Sequence, residues 1–222
     1  MRSVLRTLIR HPKRLFLRRD PRRDLPRPAG ADAFARELGI HRLDLAGVIL
    51  EVDELRPIVE AVQETRGGGS LLVFGCGHDS VFWEKVDRRG RTVFLEDDPE
   101  WAARTRARLR RSQVHLVHYG TQRRLWRELL DDEDRLAMEL PDEVLSRHWD
   151  VIVVDAPAGF DDTTPGRMKS IYAASRLARP GTRVFVHDCE RPVEDAFTSK
   201  YLGRERMFVE RRGRAILRGY SF

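Results

Sequence analysis

The chain has 222 residues, 41% of them apolar, which is enough for one α/β domain with a short extension and too few for two full domains. No run approaches 18 apolar residues and the N-terminus lacks an uninterrupted apolar stretch, so neither a membrane span nor a secretory signal is expected, and the expected address is cytoplasmic. The formal net charge of +6 belongs to the first 30 residues, where ten Lys or Arg face only Asp20 and Asp24, a balance of +8 that leaves the other 192 residues at −2.

Residues 1–30 thus read as a basic, arginine-rich tail and linker. Val4, Leu5, Leu8, Ile9, Leu15 and Phe16 recur at near-helical spacing among the arginines. That pattern fits a basic amphipathic helix lying peripherally on an anionic membrane or a partner, and equally a disordered solubilising arm. Pro12 interrupts it, and Pro21, Pro26 and Pro28 stiffen the link into the folded part. Nucleic acid is not an expected partner, because the rest of the chain is slightly acidic and shows no basic stripe interleaved with aromatics. A single domain is predicted over 31–222, opening with a helical extension over 31–66. Its first part is a short helix and turn; its second is an amphipathic helix over 52–65 with Val52, Leu55, Ile58, Val59 and Val62 on one face.

Leu71, Leu72, Val73 and Phe74 form the first strand, a continuous apolar run as burial on both faces requires, and it leads directly into Gly75-Cys76-Gly77 and a helix through Val81, Phe82 and Val86. Two glycines let the backbone turn tightly and approach a ligand closely. A second strand over 92–96 ends in Glu96, 21 residues after Gly75, the distance at which a βαβ unit delivers a carboxylate to ribose hydroxyls. NAD and S-adenosylmethionine both carry such a ribose. The dinucleotide fingerprint wants a third glycine where Ser80 stands, beneath a pyrophosphate that S-adenosylmethionine lacks, so the latter is favoured.

A helix from Pro99 comes next, then a third strand over 114–119, then a charged, helical stretch over 122–147 in two pieces split near Pro141. Val151 to Val154, flanked by Asp150 and Asp155, is the fourth strand, a helix covers about 167–178, and 182–187 is the fifth strand. After a helix near 192–201, segments 206–210 and 215–220 read as an antiparallel hairpin turning near Gly213. A mostly parallel, seven-stranded sheet closed by a C-terminal antiparallel hairpin, with helices on both faces, is the Rossmann-like class I methyltransferase fold, whose last strand inserts between the fifth and sixth; a dehydrogenase sheet would continue in parallel crossovers.

In such a sheet the ligand lies outside the carboxyl ends of the strands. The residues expected there are Gly75, Gly77, His78, Asp79 and Ser80, then Glu96 and Asp97, Tyr119 and Gly120, Asp155, and His187 with Asp188. Methyl transfer to an alcohol needs its proton removed. His187 is the candidate general base, and Asp155 with Asp188 are alternative ligands for a divalent metal ion. The competing reading has Asp155 on the amino group of S-adenosylmethionine and Asp188 orienting a histidine. Cys76 and Cys189 close the first and fifth strands, too far apart in this topology for a disulfide, and read as small buried residues.

Leu72 to Ser80, residues 91–97, Trp149 to Pro157, Pro165-Gly166-Arg167-Met168 and Val184 to Asp188 with Arg191 together resemble the glucuronoxylan 4-O-methyltransferases of polysaccharide biosynthesis, over about residues 50–210 and in the expected order. The resemblance implies an S-adenosylmethionine-dependent methyltransferase of a glucuronic acid hydroxyl, with a divalent cation as an option, cofactor near Gly75, Gly77 and Glu96, and His78, Asp79 and Ser80 as candidates for the floor of the reaction site. If the acceptor carries a uronate, Arg167 and Arg191 are candidates to pair with it bidentately. The plant enzymes carry a transmembrane anchor where this chain has its arginines, and position 76 is Cys where the family has an aliphatic residue. Four lysines against 37 arginines fit GC-rich coding and so a bacterial relative. The rival readings are methyl transfer to another small molecule, on oxygen or nitrogen, and a non-catalytic polysaccharide-assembly protein on the same fold.

Overall fold

The computed structural model describes residues 30–40, 45, 48–65 and 68–222; the expected amphipathic tail lies outside them. Five strands run parallel: Ser70–Phe74 (β1), Arg91–Glu96 (β2), Gln113–Leu116 (β3), Val151–Val154 (β4) and Arg183–Val186 (β5). Met207–Arg212 (β6) and Ile216–Ser221 (β7) form the antiparallel hairpin, and β7 inserts beside β5, giving the order β3-β2-β1-β4-β5-β7-β6. This is the class I methyltransferase topology expected from the sequence.

The apolar runs are buried on both faces because the pleat sends alternate side chains to opposite sides. Leu72, Phe74, Ile152, Val154, Val184 and Val186 pack on one side with Met168–Leu177 (α8) and Pro192–Thr198 (α9). Leu71, Val73, Val151, Val153 and Phe185 pack on the other with Ala31–Leu38 (α1), Val52–Glu64 (α2) and Ser80–Val86 (α3). Each fully buried Leu, Val or Phe contributes about 1.5–3 kcal/mol relative to exposure. The α2 helix, predicted as an extension, is thereby part of the core, with Leu55 and Ile58 at 0% exposure.

Three elements depart from expectation. The stretch 122–147 is a 3₁₀ turn, Arg123–Leu125, followed by three short helices, Trp126–Leu129 (α5), Glu133–Leu136 (α6) and Asp142–Ser146 (α7). Asp132 restarts the chain by accepting from Arg135 N at 3.1 Å, and Leu129, Leu136 and Val144 each anchor one piece in the core. The third strand stops at Leu116, before Val117 and Tyr119 turn inward as isolated core residues. The α9 helix ends at Thr198 and gives way to a π-turn over Ser199–Gly203. Pro99–Arg108 (α4) starts at its proline as predicted, capped by Asp98, which accepts from Glu100 N and Trp101 N at 2.8 and 3.0 Å. Among the described residues, no helix is long and apolar enough to cross a membrane.

Candidate active site

Strand register assembles the site. Phe74 pairs with Leu95 and with Val154, and Val154 with Val186, so the chain leaves β1, β4 and β5 at one level and Gly75, Asp155 and His187 emerge side by side at the carboxyl edge, with Glu96 closing β2 beside them. Gly75 has φ 111, and a Cβ there would lie 2.5 Å from the Ala156 Cβ, so the turn requires glycine both for its backbone and for the approach of the β4 loop.

The cofactor side is organised around a buried carboxylate. Glu96 is 0% exposed and accepts from the backbone N–H of Cys76 at 2.7 Å, Asp97 at 2.9 Å and Asp98 at 2.8 Å, lacing the Gly75–Gly77 turn to the end of β2. Asp97, half-buried, is the more accessible carboxylate of the pair at this strand end. Ser80 is buried and its Oγ accepts from Gly77 N at 3.0 Å, closing the turn from inside. Asp79 accepts from the Trp83 indole Nε1 at 2.9 Å; burial, and then the charge of Asp155, push its pKa up to about 6. His78 stacks edge-on with Trp101 of α4, ring centroids 5.3 Å apart, and is not in the group formed by Asp155, His187 and Asp188. Gly120 is exposed in a left-handed turn, whereas Tyr119 is 2% exposed and packs into the core, so of these two only the glycine lies at an open surface.

On the other side, Asp155, His187 and Asp188 converge: one ligand atom from each lies within 4.8 Å of the others. His187 Nδ1 is 3.2 Å from Asp155 Oδ1 and 3.6 Å from Asp188 Oδ1. Its other nitrogen, Nε2, is 3.2 Å from Oε1 of Glu54, a 0%-exposed residue of α2 that the sequence pattern does not single out. Burial opposes a charge on this ring most strongly, but Asp155, Glu54 and Asp188 together outweigh it and push the pKa up to about 10. In this arrangement His187 holds its proton at neutral pH, which does not suit the free general base that the strand position suggested.

Arg167 binds the cluster together. It is 5% exposed; Nη1 donates to His187 O at 2.6 Å, and Nη2 to Asp155 O and Oδ1 at 2.9 and 2.8 Å, with Asp188 Oδ2 at 2.6 Å. A guanidinium so occupied is turned to the protein's own carboxylates, so the sequence expectation of a uronate partner does not fit its geometry; Arg191 lies at the rim with 29% side-chain exposure. Arg191 Nη1 also reaches Asp188 Oδ2 at 2.9 Å. Asp188 has φ 64, a strained conformation for a non-glycine residue that the two arginines hold in place. A second residue missed in the sequence is Glu194 of α9, fully buried beneath Gly159, neither of whose oxygens accepts a hydrogen bond among the described residues; burial raises its pKa. Cys76 and Cys189 are both free thiols. A groove of about 410 Å³ lined by Val62, Thr65, Lys85 and Arg88 lies at the opposite edge of the sheet and contains none of these groups.

Two carboxylates and an imidazole whose ligand atoms lie within 4.8 Å of one another are a mixed oxygen and nitrogen donor set that could hold a divalent cation such as manganese. Comparison with known proteins gives the family context. The family described as IRX15/IRX15L/GXM matches residues 53–138 and 132–218. Glucuronoxylan 4-O-methyltransferase 2 of Arabidopsis thaliana is 36% identical over 166 residues, 65% of this chain and 57% of that protein. Arabinogalactan O-methyltransferase 1 of the same plant is 36% identical over 160 residues, covering 61% and 55%. The chain therefore spans about half the length of the curated relatives it matches. Among solved structures, a TehB-like SAM-dependent methyltransferase from Corynebacterium glutamicum superposes with a TM-score of 0.50 at 13% identity, over 87% of this chain and 98% of the other, which identifies the fold.

Proposed function

The chain belongs to the IRX15/IRX15L/GXM family, and from that premise we propose that it is an S-adenosylmethionine-dependent O-methyltransferase whose acceptor is a sugar or uronic acid hydroxyl. The observation that carries the reading is the convergence of Asp155, His187 and Asp188 at the ends of β4 and β5, beside the Gly75–Gly77 turn. The names of the plant relatives, which specify glucuronoxylan and arabinogalactan, support a saccharide acceptor.

Methyl transfer is an in-line displacement at a sulfonium carbon, so the protein must seat the cofactor, aim the acceptor oxygen and deal with its proton. Seating falls to the turn that Glu96 and Ser80 hold, with Asp97 as the carboxylate for the ribose hydroxyls. Asp155, His187 through Nδ1, and Asp188 would hold a divalent cation, which would supply Lewis acidity to lower the pKa of an adjacent hydroxyl. Arg167 fixes the two carboxylates relative to each other. Arg191 at the rim is the group to pair with an acceptor carboxylate, its planar fork matching both oxygens.

Calorimetry with S-adenosylmethionine, followed by transfer assays over uronosides, neutral glycosides and amines with and without chelator, tests the proposal. Millimolar affinity or better, and chelator-sensitive transfer to a uronoside, are expected. No heat on titration rules out a methyltransferase; chelator-insensitive transfer to an amine moves the acceptor to nitrogen.

A further inference from the structure

We infer that Glu54 is a positioning residue for His187: its carboxylate accepts the Nε2–H hydrogen bond, so that Nδ1 is the nitrogen offered to a cation held by Asp155 and Asp188. The inference rests on the reading of those three residues as a divalent-cation site.

An ionised carboxylate only accepts hydrogen bonds, so an imidazole nitrogen set against one carries the hydrogen. Glu54 Oε1 stands 3.2 Å from Nε2, on the side of the ring opposite Asp155, whose Oδ1 lies 3.2 Å from Nδ1. Nδ1 faces carboxylates too and carries a hydrogen by the same rule; a cation held by Asp155 and Asp188 would take the place of that hydrogen, while Nε2 keeps its own against Glu54. A carboxylate behind a histidine in this way fixes both the tautomer and the ring plane and raises the basicity of the ligating nitrogen.

Glu54 is itself held rigidly. Its Oε2 accepts from Glu51 N at 2.7 Å in a reciprocal capping box at the start of α2, and Ala215 N approaches Oε1 at 3.4 Å. The hairpin turn presses on it from outside: a Cβ at Gly213 would come within 2.6 Å of Glu54 Cδ. Glu51 meanwhile accepts from Arg214 Nε at 2.7 Å, tying the helix start to the same turn. A glutamate that only caps a helix does its work at the surface. Burying one to 0% exposure against a histidine costs desolvation that capping does not require, and the imidazole offsets it. The α2 helix, outside the βα units, thus supplies the back wall of the site, 133 residues away in sequence.

The test uses the full chain and cobalt(II), whose visible absorption reports ligand geometry independently of turnover. Wild type is expected to bind cobalt. E54Q, which keeps the shape and removes the charge, should bind it roughly 10- to 100-fold more weakly with an altered spectrum, and should lower kcat while S-adenosylmethionine affinity is retained. E54D should fall between the two. E51A removes the cap but leaves Glu54 in place, so it should lower the melting temperature without changing cobalt affinity. E54Q binding cobalt like wild type with the same spectrum overturns the role of Glu54 alone. E51A weakening cobalt as much as E54Q also overturns it, reducing the residue to a helix cap. Wild type failing to bind cobalt, or H187A binding it unchanged, overturns the cation site and the inference with it.

Discussion

Replacing Arg167 with methionine keeps most of the aliphatic volume and removes the guanidinium from between two carboxylates. Four contacts of 2.6 to 2.9 Å are lost at a residue that is 5% exposed. Removing one partner of a buried ion pair costs about 3–5 kcal/mol, because the remaining charge stays behind unpaired. Asp155 and Asp188 keep side-chain exposures of 30% and 11%, so water relieves part of that penalty and the expected loss lies near the lower bound, about 3 kcal/mol. Urea unfolding should show it as a lower midpoint at constant m. R167K should not restore the loss, since an ammonium is a point charge that cannot span Asp155, Asp188 and the His187 carbonyl together. Adding D188N to R167M should recover part of it, because one of the stranded charges is then gone. A loss under about 1 kcal/mol would refute the view that this arginine holds the ends of β4 and β5 together, and would release it for the acceptor carboxylate.

The pKa of Asp79, raised from 3.8 to about 6, makes a second prediction. A carboxyl that holds its proton more tightly when folded contributes stability below its unfolded pKa and loses it as the pH rises through the folded one, so the stability of D79N relative to wild type should climb between about pH 4 and 6 and then level off; parallel pH profiles would contradict the shift. E96A leaves three backbone N–H groups without their carboxylate and should cost at least about 3 kcal/mol in chemical denaturation, with S-adenosylmethionine affinity falling as the turn loosens; unchanged affinity would remove Glu96 from the cofactor side. R191M should raise KM for a uronate acceptor at least tenfold more than for a neutral one, with cofactor affinity retained; equal effects on charged and neutral acceptors would assign Arg191 to Asp188 alone.

What was legible in the sequence was whatever local chemistry dictates. The strands from Leu71, Thr92 and Val151 are near-continuous apolar runs, and such runs have few alternatives to a central parallel strand. Their ends named Gly75, Asp155 and His187, because the register that aligns Phe74, Val154 and Val186 is itself set by matching apolar runs. Orientation was not legible. Glu96 and Asp97 are neighbours, yet one turns inward to three backbone donors and the other stays accessible, a choice made by the loop that closes over β1. Tyr119 looked like a strand-end residue because the alternation of Val117 and Tyr119 continues past the last ladder bond at Leu116. Arg167 reads in the sequence as a partner for an acceptor carboxylate, but its burial against Asp155, Asp188 and the His187 carbonyl was not legible, because it depends on two strand ends meeting across 20 residues. Glu54 left only a faint signal, a charged residue bordering the apolar stripe of Leu55, Ile58 and Val62, and nothing in the sequence says that it is buried against His187.

The most direct test of the proposed chemistry is transfer of labelled methyl from S-adenosylmethionine to an oligosaccharide bearing glucuronosyl groups, run on wild type and H187A with cofactor affinity measured on the same samples. Wild type should place the label in an ether-linked methyl on the uronosyl residue, and H187A should bind the cofactor equally well yet transfer at least about 10²-fold more slowly. Transfer by H187A at the wild-type rate, or a wild-type protein that binds the cofactor and methylates only amines, would contradict the assignment of hydroxyl activation to the cluster at the ends of β4 and β5.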